Sequence, residues 1–315
     1  MDIPKDFSLS YHALIRNKVL VLPHLIGSFI TIALILVLLL ASGLYGVVAQ
    51  YSSLAAKYQQ EHKTLTGQMD NQDLSKYLEA NGLNFLEFRN LLSWNNLILA
   101  IVVISAIIII NYYLSAVLLA MASWVVKNKK LDYKKILSTS FWLMFRFAWY
   151  HFLIILTIAL PICLMILAVT LFFLVNKWLG ILSIIAIVIL IIAYTIFIAV
   201  KLIFAQPLMF IEDETAFSSL KTSYSITKSR FKEALIVFAI IFGIGLAFSF
   251  AGNMWGQIFV GIIAFKNALT LLLNIVVLIL FFVISCAVNA FVRLFLYYSY
   301  LDFRSNKNGK TKVQQ

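Results

Sequence analysis

AWYHFLIILTIALPICLMILAVTLFFLVNKWLGILSIIAIVILIIAYTIFIAVKLIF, residues 148–204, decides the fold. Two apolar runs, 148–175 and 178–204, are parted only by Asn176, Lys177 and Trp178. As helices, at about 1.5 Å per residue, each reaches about 40 Å, more than the roughly 30 Å of bilayer hydrocarbon. A link this short returns the chain antiparallel, with Trp178 suited to anchor the turn at the interface. Working outward, four further stretches of similar character lie near 20–49, 95–126, 235–260 and 267–298, the last two joined around Phe265, Lys266 and Asn267. The pattern predicts an all-α integral membrane protein of six transmembrane helices arranged as three hairpins.

Composition agrees. Of 315 residues 63% are hydrophobic and 12% charged, against about 25% charged in an ordinary soluble domain. The first run, Val19 to Ala49, is too long for the 7–15-residue core of a signal peptide and reads as a retained anchor. Pro23 near its start falls where a helix has no donor to lose. The net charge of +12 is confined to the polar segments between apolar runs, which points to topology and away from nucleic acid. Nineteen Lys and Arg fall in 1–18, 127–146, 201–232 and 293–312, and six fall on the opposite side. The positive-inside rule then places both termini in the cytoplasm of a multi-pass cell-membrane protein, with a basic tail at 303–315.

The segment 50–94 is the one sizeable external region. Asp70-Asn71 ahead of Leu74, Tyr77 and Leu78, and Asn84 with Glu87 ahead of Leu91, read as starts of two short helices. This insertion is either a helical cap or a docking site for a partner.

A pattern recurs before alternate spans. Ser8-Leu9-Ser10-Tyr11 is followed by Arg16, Leu137-Ser138-Thr139-Ser140-Phe141 by Arg146, and Leu220-Lys221-Thr222-Ser223-Tyr224 by Arg230. Ser10 and Ser140 are 130 residues apart, Ser140 and Ser223 are 83 apart, and the difference of 47 is close to the length of the external insertion. The chain therefore reads as three repeat-like units, 7–126, 134–204 and 215–298. Each would open with an amphipathic elbow helix on the cytoplasmic interface, near 7–18, 134–147 and 215–232, with basic residues at anionic headgroups and aromatics at the acyl boundary.

The third unit carries the most specific motif, running from Pro207 through Glu212-Asp213-Glu214, Ala216, Leu220, Ser223, Thr227 and Lys228 to Phe231. It resembles the signature of a prokaryotic family related to the membrane domain of glycerophosphoryl diester phosphodiesterase. Pro207, Glu212, Ala216, Leu220, Ser223, Lys228 and Phe231 match by position, whereas Ser229 stands where the family often has Gly. The resemblance implies a membrane domain. The phosphodiesterase activity of fused members belongs to a separate soluble domain with Glu, Asp and His clusters, which this chain does not contain. Pro207, Glu212, Glu214, Ser223, Lys228, Arg230 and Phe231 are the candidate interface motif. The acidic run itself either caps the short helix that follows or pairs with Lys134, Lys135 or Arg146 of the second unit.

Signals for chemistry are sparse. His12, His24, His62 and His151 are scattered, Cys163 and Cys286 lack a CxxC partner, and there is no Walker loop. No cofactor or metal is implied, and the reading is non-enzymatic. No carboxylate lies at mid-depth in a span, which argues against a proton relay. Polar residues within spans are Asn111, Asn253, Asn274 and Asn289, with Ser105, Ser249, Ser285 and Arg293 near a helix end. They serve interhelical hydrogen bonds or, alternatively, line a transport or lipid-translocation path. Gly252 and Gly256 have small-xxx-small spacing for close helix approach. The implied partners are membrane lipids, and other membrane proteins or further copies of the chain.

Topology is testable. In a cysteine-free background, single cysteines at Ser52 and Lys63 should react with an impermeant maleimide on intact cells. Reaction only after permeabilisation reverses the assignment.

Overall fold

The computed structural model describes residues 1–43, 93–263 and 268–305 with a few single positions between 46 and 80; between 254 and 275 it describes backbone alone. The two short helices expected within 50–94, the Lys266 link, the Asn274 side chain and the tail beyond 305 lie outside the described residues. The described chain is helical: α1 (Ile3–Arg16), α2 (Leu22–Ala41), α3 (Trp94–Val126), α4 (Tyr133–Val175), α5 (Lys177–Lys201), α6 (Ala205–Ile211), α7 (Ala216–Ser229), α8 (Phe231–Ile263) and α9 (Ala268–Ser305). A 3-10 turn, Lys18–Val21, leads into α2.

Six of these helices are long and apolar enough to cross a membrane, which fits a multi-pass membrane protein. Their most apolar windows are at most 28% buried by the protein itself. Ile155, Leu164, Ile185 and Leu246 stand exposed on them, a surface suited to lipid rather than water.

Local chemistry sets the boundaries. Asp2, Asp132, Asn176 and Thr215 each cap a helix start by accepting a backbone N–H two or three residues on. Asn128 ends α3 in the left-handed conformation, with Lys129 N–H bonded back to the Trp124 carbonyl.

The chain divides into two compact units, Met1–Leu25 with Tyr112–Gln315, and Ile26–Asn111. In the smaller unit, Asn96 donates to the Ser42 carbonyl at 3.3 Å and Asn111 to Thr31 Oγ1 at 3.0 Å, tying α3 to α2. In the larger unit α4 lies along α5, α8 along α9, and α1 along α9. Its core gathers where the basic segments are: Ala116–Val126, the start of α4, Phe204 to Phe210, and Leu294 to Phe303.

The repeated serines share one setting. Ser10, Ser140 and Ser223 are all fully buried, while Tyr11, Phe141 and Tyr224 beside them are about half exposed. Two of these segments end as helices seven residues after the serine. Asn17 (φ −122, ψ 59) closes α1 and Arg230 (φ −133, ψ 44) closes α7 in nearly the same conformation. The second differs from expectation: 134–147 is no separate helix but the first part of the 43-residue α4. From Tyr133 to Leu160 there is neither Gly nor Pro, so no residue breaks the hydrogen-bond ladder. Pro161, inside α4, follows directly on this stretch, well past the expected joint at 147.

α1 also buries a carboxylate. Asp6 lies against α9, and Asp6 Oδ2 has no hydrogen-bond partner among the described residues. Burial first, and the charge of Asp302 second, push its carboxyl up from 3.8 to about 6. The folded chain thus holds this proton more tightly than the unfolded one. Its stabilising effect is complete below about pH 4 and is lost as pH rises through about 6. At about 1.4 kcal/mol per pKa unit the loss is at most about 3 kcal/mol. Asp6→Asn, which imitates the protonated form, should therefore raise thermal stability in detergent at pH 7.5 and make little difference at pH 4. An equal shift at both values would remove Asp6 as the titrating group.

Candidate functional site at the basic end of the bundle

The site begins where α5 stops. The last carbonyls of a helix have no partner within it. At Lys201 the carbonyl accepts hydrogen bonds from Ser223 Oγ at 2.9 Å and Thr227 Oγ1 at 3.0 Å, both fully buried on α7. The Lys201 side chain is buried too, with Nζ 5.5, 5.1 and 5.2 Å from the ring centres of Phe197, Tyr224 and Phe231. Three ring faces take the place of water around this ammonium, each contact contributing about 0.5–2 kcal/mol. Ser223 and Phe231 of the motif thus both serve Lys201.

Past this break α6 carries Pro207, buried in its first turn where a missing N–H is harmless. The acidic run follows. Glu212 accepts from Tyr300 Oη and is ion-paired with Arg304, both on α9. Asp213 takes the left-handed conformation, φ 58, and accepts from Arg146 Nη1 of α4 at 2.5 Å. Glu214 accepts from Ser218 Oγ at 3.0 Å. The helix-capping role expected of the run belongs instead to Thr215, whose Oγ1 accepts from the Ser218 N–H at 3.3 Å. The pairing with Arg146 is present.

Arg230 stacks on Phe303, 4.5 Å from the ring centre, donates to the Phe303 carbonyl at 2.7 Å and pairs with Glu233. Lys228 is exposed. Leu208, Glu212, Glu214, Thr222, Tyr300 and Arg304 border a partly open cavity of about 280 Å³.

A second polar group lies deeper along α9. Arg293 Nη1 donates to Gln206 Oε1 of α6 at 2.7 Å, and Tyr150, Tyr297, His24 and His151 are within electrostatic reach of its guanidinium. His151 Nδ1 is 2.9 Å from the Phe147 carbonyl. The other polar positions within spans are not brought together. Asn111 bonds to Thr31 and to its own helix, Asn289 bonds to the Ser285 carbonyl of its own helix at 3.1 Å, and Asn253 is exposed. None of them borders the cavity. Among the described residues no group of three His, Cys, Asp or Glu could hold a metal ion.

Sequence reasoning named Glu212 and Arg293 but missed their partners Tyr300, Arg304 and Gln206, and it missed Lys201. The available signal for Lys201 was a lone cation closing an otherwise uninterrupted apolar run, which needs a built environment. No family model, curated protein or solved structure matches the chain.

The acidic run predicts unequal substitutions. The Glu212 side chain is 18% exposed and bonded twice, whereas that of Asp213 is 83% exposed. A solvated pair contributes about 0–1 kcal/mol and a largely buried carboxylate about 1–3 kcal/mol. Glu212→Gln should lower thermal stability in detergent clearly more than Asp213→Asn. Equal and negligible shifts would reduce the run to solvated surface.

Proposed function

We propose that the chain is a non-enzymatic, multi-pass component of the cell membrane, with both termini cytoplasmic, serving a structural or accessory role in the envelope or in a larger membrane assembly. The carrying observation is the polarity of the three serine-bearing segments at the basic end. Each buries its small polar face and turns aromatics outward: Phe7 and Tyr11 on α1, Phe141, Trp142 and Phe145 on α4, Phe217 and Tyr224 on α7. A water-soluble surface would do the reverse. Such faces, with Lys5, Lys134, Lys221 and Lys228 beside them, suit the boundary between headgroups and acyl chains. In this reading the elbows at 7–18 and 215–232, together with the leading turns of α4 at 134–147, seat a threefold repeat of hairpins in the anionic inner leaflet. The likeness of Pro207 to Phe231 to the membrane-domain family supports the same assignment.

The second reading, transport or lipid translocation, draws on one feature, the Arg293–Gln206 pair inside a span. The two readings separate in proteoliposomes. Fluorescent phosphatidylglycerol in the outer leaflet, quenched by dithionite, should flip no faster with the full chain present than in protein-free vesicles. Acceleration that depends on protein density would overturn the structural reading in favour of the second.

A further inference from the structure

Arg293 is half-buried in α9, and its only bond to the described residues is to the neutral Gln206 amide. Among the described residues it makes no ion pair. Lys201 is compensated by three ring faces, but Arg293 has one neutral acceptor, which does not offset the cost of desolvating a cation, and an anion supplies what is missing. A second, independent observation falls at the same place. Tyr297, one turn further along α9, is fully buried and its hydroxyl has no hydrogen-bond partner among the described residues. An orphaned hydroxyl and an unneutralised guanidinium side by side are both donors waiting for one acceptor.

The approach to the pair is lateral. Asn289, Arg293 and Tyr297 follow one another at i, i+4 and i+8 on one face of α9, passing from exposed through half-buried to buried. Asn289 is exposed within the membrane-length apolar span of α9, where the protein surface meets acyl chains. An anion arriving along this stripe comes from within the membrane.

We infer that Arg293 and Tyr297, with the Gln206 amide beside them, form a binding site for a phosphate oxyanion, and that a membrane phospholipid headgroup supplies it. The guanidinium meets two phosphate oxygens in fork geometry and Tyr297 donates to one of them. Gln206 keeps its amide N–H groups available, because only its oxygen is used by Arg293. The inference rests on the membrane reading above but not on the structural role. Labelling at Ser52 and Lys63 tests the membrane reading independently, so a failed site leaves that labelling pattern intact.

The test uses the full chain, purified in detergent and stripped of lipid. Its melting temperature is followed while dioleoyl-phosphatidylglycerol, dioleoylglycerol or inorganic phosphate is added. Phosphatidylglycerol should raise the melting temperature in a saturable way, and dioleoylglycerol, which has the chains without the phosphate, should not. Arg293→Gln should abolish the response. Tyr297→Phe should weaken the apparent affinity about tenfold, as expected for losing a hydrogen bond to a charged group. In lipid-free detergent that variant should be no less stable than wild type, since it removes a hydroxyl with nothing to bond. Tyr297→Phe keeps the proposal exposed should Arg293→Gln fail to fold. Equal responses to phosphatidylglycerol and dioleoylglycerol, or unchanged affinity in Tyr297→Phe, overturn the site. A response to inorganic phosphate without one to phosphatidylglycerol overturns the lipid source.

Discussion

The arrangement at the basic end depends on how one helix break is satisfied. α5 stops at Lys201 in a setting too apolar for water to take up its last carbonyls, and an unbonded backbone group there costs several kcal/mol. Ser223 and Thr227 supply the missing donors from one face of α7, one turn apart. That single contact fixes where α7 lies and which way it faces. With Ser223 and Thr227 turned inward, Tyr224 comes over the Lys201 ammonium, and Phe231 at the start of α8 closes the same cage. The short α6 between them is then held on both sides, which places Gln206 at Arg293 and Glu212 at Tyr300 and Arg304.

The charged residues of this end are drawn into the packing. The three acidic residues after α6 are each used differently within three positions: Glu212 inward to α9, Asp213 across to α4, Glu214 locally to Ser218. They can diverge because Asp213 adopts a left-handed backbone, φ 58, which reverses the direction of the chain at that point and which Asp tolerates better than most residues. The acidic run is thereby a three-way connector among α4, α7 and α9. Its neighbours among the basic residues, Arg146, Arg230 and Arg304, are each drawn to a carboxylate. The α7 lysines, Lys221 and Lys228, remain at the surface.

What was legible in the sequence follows from what is periodic or charged. Apolar runs of 25 residues and more announced the six long helices, because length and hydropathy suffice for that and partners do not enter. The Ser-aromatic-basic pattern pointed to Ser10, Ser140 and Ser223, and these share burial although their hydroxyls do different things: Ser10 bonds to the Asp6 carbonyl, Ser223 to that of Lys201, and Ser140 has no partner among the described residues. What the three positions share is thus the burial of a small side chain, with the bond a local addition. The break between α4 and its leading segment was misjudged because the pattern suggested a joint where the residues from Tyr133 to Leu160 contain no breaker. Lys201 and the partners of Glu212 were beyond reach, since they are set by contacts 22 to 92 residues apart that no local period encodes.

The polar residues within the spans sort by a simple energetic criterion. Asn111 and Asn289 return hydrogen bonds to the carbonyls four residues before them, and Asn289, with no other bond among the described residues, is satisfied wherever its helix goes. An interhelical bond of the Asn111–Thr31 kind contributes about 0.6–2 kcal/mol, enough to favour one pairing of α2 and α3 over a slipped one. Arg293 obeys a different rule. Its planar fork carries five N–H donors, more than a single carbonyl of its own helix meets, and it cannot shed its proton at any physiological pH. Held in α9 beside Gln206, it keeps a full charge where the surrounding helices offer tyrosines, histidines and an amide. A structural polar residue in a membrane is characteristically one whose needs are met within reach, and by that measure Arg293 stands apart from Asn111 and Asn289.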